Sequence, residues 1–416
     1  MADPAVAAAM AAARALLSPG DPATLVAADA HLRAVNDSPD GWRIGRALLS
    51  CAETPGDVLA PRVRVMGAAM LRAKAHADGF AMTPPDAASM TSELLAMLGT
   101  PEGSGELGPH LAQIAAAVAT AGGAETLASL VNASISLAAP DSNGGWARVQ
   151  DPNAPCPCGP NAHAAVALLA ACAEEALHRV KAHPPETTAA AQDLLDDVTW
   201  TLQAVACGGG GDASGGGGVT VVTDAARADV FRALRLWIPA GITASELVVE
   251  RNALFTHLVD VAIRCTAVDP RVTLAAAETL AELCGASDPL PGRAAAVDAV
   301  LRTLESEADA CDEMAATRLG WNLSHAGGGD GDGGERERIR AHAWSVASVC
   351  GALGVTEPRA LATHGHGKLL KFLTDVVGRA DASAAPIALA AMRTPPPRGL
   401  LAHVRSPTAL LSLIHI

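Results

Sequence analysis

Tyrosine is absent from this chain of 416 residues, and aromatic residues together make up 2%. A core assembled around large rings is therefore excluded, although half of the residues are hydrophobic. Strand formers in alternation are scarce too: the best run, "GVTVVTD" at 218–224, is too short to found a sheet. No apolar run reaches the roughly 18 residues that a membrane span needs. The opening "MADPAVAAAMAAARALLSPG" is apolar but lacks the basic start of a secretory signal. Positive charge is in deficit, with 30 Lys and Arg against 44 Asp and Glu, so the basic face of a nucleic-acid binder is not expected. The net charge of −14 suits basic partners, or simply a solvated acidic surface. Nine cysteines, odd in number and scattered, fit reduced and mostly buried thiols rather than a disulfide framework.

What the chain has instead is alanine, the strongest helix former and one small enough to let helices approach closely. Asp21 and Pro22 supply an N-cap and a first-turn proline ahead of Leu25, Ala28, Leu32 and Val35, which fall at helical spacing. Asn36 and Asp37 break that pattern. Ser38 and Pro39 then offer a second cap-plus-proline start, for a helix carrying Trp42, Ile44, Leu48 and Leu49. Further apolar stripes run through Val63, Met66, Met70 and Leu71, through Met90, Leu94, Met97 and Leu98, through Leu107, Leu111, Ile114 and Val118, and through Leu127, Leu130, Val131 and Ile135. Each stripe is too wide for solvent and too small to fold alone, so stacked pairs must bury it. The expected fold is all-α: a right-handed α-solenoid of HEAT- or armadillo-type helix pairs.

The pattern continues with helices expected near 161–182, 185–207, 224–236, 244–265, 270–284, 292–307, 335–352 and 358–377. Glycine-rich stretches at 207–218 and 326–334 read as loop expansions between helices. The domain organisation is then helix pairs over 5–139, continuing repeats over 161–392, and a tail at 406–416 whose "LSLIHI" looks like translated adapter sequence and is set aside.

Chemistry-bearing constellations are thin. Cys156, Cys158 and His163 fall one ligand short of a zinc site, and their Cys-x-Cys spacing is not the usual one; a proline-bounded loop fits better. His364 and His366 have no nearby carboxylate pair. Glu174 and Glu175 precede His178 without an evident nucleophile, and the glycine runs lack the lysine and the strand–helix context of a phosphate loop. No catalytic residue, metal or cofactor is expected.

The stretch "HLRAVNDSPDGWRIGRALL" at 31–49, followed by "VRVMGAAMLRAKAHADGF" at 63–80, resembles the N-terminal domain of the importin-β superfamily, with Trp42, Leu48, Leu49, Val63, Ala68, Leu71, Arg72 and Lys74 at the family's pattern positions. The transportin-SR and importin-thirteen branch fits best. "LAQIAAAVATAG" at 111–122 keeps the family's glutamine as Gln113, and "LLAACAEEALHRV" at 168–180 looks like a later helix of that branch. "VFRALRLWIPAGITASELVVERNALFTHLVDVA" at 230–262 is the most specific match, because Phe231, Arg232, Leu234, Trp237 and Gly241 keep their spacing. Departures include Ala69 for glutamine, Thr120 for aspartate and Met66 for phenylalanine. The chain is less than half the length of a complete receptor of this kind, so the resemblance implies its N-terminal part.

That resemblance implies a nuclear transport receptor moving between cytoplasm and nucleus. Its implied partners are Ran in its GTP state, cargo proteins of arginine–serine-rich type and Phe-Gly nucleoporins. It implies a Ran-facing role for Arg72, Lys74 and Gln113, and a core role for Trp42, Leu49, Leu71, Phe231 and Trp237. The competing expectation is a HEAT-repeat scaffold with no link to Ran.

Overall fold

The computed structural model describes residues 3–51, 57–78, 82–100, 107–138, 161–178, 185–207, 223–264, 266–267, 269–285, 293–314, 345 and 349. Every regular element among them is helical, and no strand occurs among the described residues. The helices are α1 (Pro4–Leu17), α2 (Pro22–Asp37), α3 (Gly41–Leu49), α4 (Ala60–Asp78), α5 (Pro84–Leu98), α6 (Gly108–Ala121), α7 (Ala124–Ala138), α8 (Ala162–Ala173), α9 (Pro185–Gln192), α10 (Leu195–Cys207), α11 (Asp224–Trp237), α12 (Asn252–Arg264), α13 (Pro270–Gly285) and α14 (Arg293–Met314). The fold is all-α. The segment at 218–222, the expected helices at 335–352 and 358–377, both glycine-rich stretches beyond Cys207, His364, His366 and the tail at 406–416 lie outside the described residues, apart from Ser345 and Val349.

Helix starts follow local chemistry. The Asp21 carboxylate accepts from the backbone amides of Ala23 and Thr24, and Pro22 occupies the first turn, where an amide would have had no partner. Thr83 and Pro84 repeat the device for α5, and the Thr223 hydroxyl caps α11. The expected cap at Ser38 is a correction. Ser38 closes α2, its hydroxyl donating to the Val35 carbonyl at 2.7 Å, and α3 begins only at Gly41. The turn is closed tightly: a side chain at Gly41 would stand 2.8 Å from the Asn36 carbonyl oxygen, so glycine is required where α3 begins.

Three later boundaries also differ from the expectation. The helix at 185–207 is two helices, parted by a turn at Asp193 and Leu194; Asp196 and Asp197 then open α10, where the helix dipole favours acids. The helix at 161–182 passes into a π-helical turn at Glu174–His178. A second π-helical turn at Glu246–Glu250 ends at Arg251 and precedes α12. Each inserts a wider turn that an apolar repeat does not encode.

The chain divides into two compact units, the first holding α1–α9 and the second α11–α14, with the division inside α10. In the first unit α1 packs on α2, α3 on α4, α5 on α6 and α7 on α8. Helices two apart also touch: α4 with α6 and α6 with α8 in one row, α5 with α7 and α7 with α9 in the other. The shared middle element, α6, is consequently buried nearly all round, from Ile114 through Thr120. A helix enclosed by four others needs small residues, and Ala115, Ala116, Ala117 and Ala119 meet that need.

The crossing of α3 on α4 is tight. A methyl group on Gly67 would lie 2.5 Å from the Leu49 amide nitrogen, and one on Gly45 would lie 2.8 Å from Leu71. Backbone meets backbone here, and Ile44, Leu48, Leu71 and Val63 close around the contact. In the second unit α11 packs on α13, and α12 on α13 and α14. Phe231, Leu234 and Trp237 form the buried face of α11, and the Thr279 hydroxyl of α13 lies 2.7 Å from the Phe231 carbonyl oxygen.

Candidate functional site

Two sites in the first unit gather the residues singled out from the sequence, and both are built on α4. Positions 72 and 76 lie one turn apart on one face of this helix, while position 74 points the other way.

On the first face, Arg72 Nη1 donates to Gln113 Oε1 of α6 at 2.9 Å, and Nη2 approaches Glu175 Oε1 at 3.3 Å and Glu174 Oε1 at 3.6 Å. His76 Nε2 stands 3.2 and 3.3 Å from the two carboxylate oxygens of Glu175. The Glu175 carboxylate is almost wholly buried, so these partners offset a desolvation that would otherwise cost several kcal/mol, about the price of one uncompensated buried ion. The π-helical turn sets the glutamates against α4. Arg72 and Gln113, two of the three residues expected to face a partner, thus meet, and the Arg72 side chain keeps 26% of its surface open. Its Nε is buried without an acceptor. Nearby Cys172 is buried, which pushes its thiol well above the ordinary range, with Glu175 adding to the effect. It is a packing residue rather than a thiolate nucleophile.

On the opposite face of α4, Lys74 is a correction. It was expected to face a partner; it is 3% exposed, and its Nζ donates to the Ser38 carbonyl at 2.8 Å. The reason is electrostatic: Ser38 ends α2, where carbonyls lack helical partners and the dipole is negative, so an ammonium is drawn in. Lys74 thereby braces the turn between α2 and α3.

Trp42 is the second correction. It was expected in the core, but it begins α3 half-buried and lines a groove of about 660 Å³ with Asp37, Pro39, Arg46, Lys74, Met82, Asp86, Ser89 and Met90. The phase of α3 explains this, since Gly41, Ile44, Gly45, Leu48 and Leu49 take the inward face. Arg46 is held by both carboxylate oxygens of Glu93 on α5. Asp37 is the last residue of α2, an unfavourable place for an anion, and its exposed carboxylate has no hydrogen-bond or ion-pair partner among the described residues.

Leu49, Leu71, Phe231 and Trp237 are buried, at 2% or less. Gly241 closes the turn after α11 with φ +124°, a conformation that glycine alone adopts without strain. Thr120, which stands where the resembled family carries aspartate, is buried and donates back to the Ala116 carbonyl. His163 sits exposed at the start of α8, while Cys156 and Cys158 lie outside the described residues. No group of three metal-ligating side chains occurs among the described residues, and no helix among them is long and apolar enough to cross a membrane.

Sequence reasoning missed Glu175 as the anchor of the Arg72 cluster. The signal available was a pair of acids interrupting the apolar run "AVALLAACAEEAL". It missed Asp37 and Asp86 as groove residues because each reads as an ordinary helix-end acid. No family model matches the chain, and no curated protein matches it.

Proposed function

We propose that the chain is part of a nuclear transport receptor of importin-β type, its first unit forming the end that receives Ran in the GTP state. The observation that carries the reading is the order of the resembling segments, 31–49, 63–80, 111–122, 168–180 and 230–262, along the chain, in whose first unit helices touch neighbours one and two apart. Two rows of helices touching in this way are what a right-handed solenoid of HEAT-type pairs requires, and that is the architecture the reading adopts. Small rotations between pairs sum along such a stack, so partners that prefer different curvatures oppose each other's binding. Cargo, of arginine–serine-rich type, binds in the cytoplasm and leaves when Ran·GTP arrives. Weak contacts with Phe-Gly nucleoporins carry the receptor through the pore. The reading gives the chain no catalysis, metal or cofactor of its own.

The Ran-facing surface under this reading centres on Arg72 and Gln113 and no longer includes Lys74. Ran's switch loops are ordered by the γ-phosphate, so a surface fitted to the ordered form gains its preference from that difference. The test is a pull-down on the immobilised full chain with Ran loaded with GTP or GDP, at two salt concentrations. Retention of the GTP form alone, weaker at high salt, is the expected result. Equal retention of both forms, or of neither, leaves the Ran-independent scaffold.

A further inference from the structure

We infer that Arg72 and His76 share the buried Glu175 carboxylate in alternation, so that protonation of His76 frees the Arg72 guanidinium for a carboxylate presented by a partner. Both side chains reach the same oxygen. Arg72 Nη2 stands 3.3 Å from Glu175 Oε1, and His76 Nε2 stands 3.3 Å from Oε1 and 3.2 Å from Oε2. The Glu175 side chain is 2% exposed, so its charge must be answered from within the protein. The His76 side chain is 29% exposed and exchanges protons with solvent directly. A neutral imidazole offers the carboxylate at most an N–H, while Arg72 supplies a full positive charge. An imidazolium brings a charge of its own, and the i, i+4 spacing then sets two cations against each other on one face of α4. Both effects loosen Arg72 from Glu175.

The rest of the cluster permits the exchange. Glu174, on the same turn, is 3.6 Å from Arg72 Nη2 and 43% exposed, so it can turn to solvent when a partner's carboxylate arrives. Gln113 of α6 holds Nη1 at 2.9 Å and carries no charge, which keeps the guanidinium in place as Nη2 is released. His110, also on α6, makes no hydrogen bond or ion pair among the described residues. Cys172 of α8 lies beside Glu175 as an un-ionised thiol. The arginines of α1, α2 and α3 pair elsewhere: Arg14 with Asp57, Arg33 with Asp29, Arg43 with Asp3 and Arg46 with Glu93. Lys74 is committed to Ser38 on the opposite face. A carboxylate fits the released edge because a guanidinium presents its N–H groups to two oxygens as a planar fork. The device needs no partner in order to operate; that Ran supplies the carboxylate rests on the receptor reading.

The test is thermal melting of the full chain at about pH 7.5 and about pH 5.5, on either side of the ordinary histidine value. Arg72→Gln, His76→Gln and the double variant are each compared with the unaltered chain at the same pH. That comparison cancels the effect of His257, which all four share. Arg72→Gln is expected to lower the melting temperature more at the higher pH, by about 2–4 °C, the size of one contact to a charged group in a unit of this length. With His76→Gln already in place, the loss from Arg72→Gln should be the same at both pH values. His76→Gln alone should show the reverse order and cost more at the lower pH, and that variant decides the matter if Arg72→Gln does not fold. An Arg72→Gln loss independent of pH, a pH-dependent loss that persists without His76, or a His76→Gln loss equal at both values would overturn the inference. Because Ran is absent from the melting, its failure leaves the pull-down result untouched, and the reverse also holds.

Discussion

The α3–α4 crossing and the α11–α13 crossing join helices in opposite ways. At the first, Gly45 and Gly67 remove side chains so that backbone touches backbone. At the second, the Thr279 hydroxyl of α13 lies 2.7 Å from the Phe231 carbonyl oxygen, and α11 carries Phe231 and Trp237, the largest fully buried side chains among the described residues, with the Phe231 ring 5.7 Å from the His257 ring of α12. A chain with 2% aromatics places two of them, fully buried, on α11, and uses glycine where α3 and α4 close on each other. The two crossings should therefore fail under opposite perturbations: the first under addition of atoms, the second under removal.

Removal at the second crossing should have the largest effect. Trp237→Ala empties a fully buried site and should cost about 3–5 kcal/mol, read from chemical denaturation of the full chain. Gly67→Ala is the matching perturbation of the first crossing. One added methyl, with a backbone nitrogen 2.5 Å away, should cost about 1–3 kcal/mol, although alanine is the better helix former. A neutral or stabilising Gly67→Ala would remove the contrast. Asp21→Ala touches neither crossing and should cost about 1 kcal/mol through its lost cap.

The smallest effect separates the units by pH. In the second unit, burial depresses the pKa of His257 below 6.5, and nearby Arg227 lowers it further against the opposing Asp260. Its Nε2 is buried without a hydrogen-bond partner. The unfolded chain therefore binds a proton on His257 at a pH where the folded unit does not. That contribution to stability is complete above pH 6.5 and is lost as pH falls from there through the depressed value. His257→Gln should flatten this slope in melting experiments between neutral and mildly acidic pH. An unchanged slope would contradict the assignment.

Much of the framework was legible because its causes are local. Asp21 with Pro22 announces a helix start by hydrogen bonding and fixed φ, and the apolar stripes on α5, α7 and α11 show in spacing alone. The failures have non-local causes. Lys74 reads as a solvated helix end, and only the arrival of the α2–α3 turn makes it a buried brace. Gly67 reads as a weak point in a helix until Leu49 is placed against it. Trp42 misled through size, since it falls just off the inward face that Gly41, Ile44 and Leu48 define. At the Arg72 site, Gln113 was found by resemblance, but Glu175 depends on a π-helical turn that periodicity does not reveal.

The central proposal is that the face carrying Arg72 and Gln113, braced by Glu175, reads the nucleotide state of Ran. Hydrogen–deuterium exchange on the full chain, alone and with Ran·GTP or Ran·GDP, tests it most directly. The account predicts slowed exchange in α4, α6 and the turn at Glu174–His178 with Ran·GTP, and none with Ran·GDP. Equal protection by both forms, or protection that spares all three segments, would contradict it.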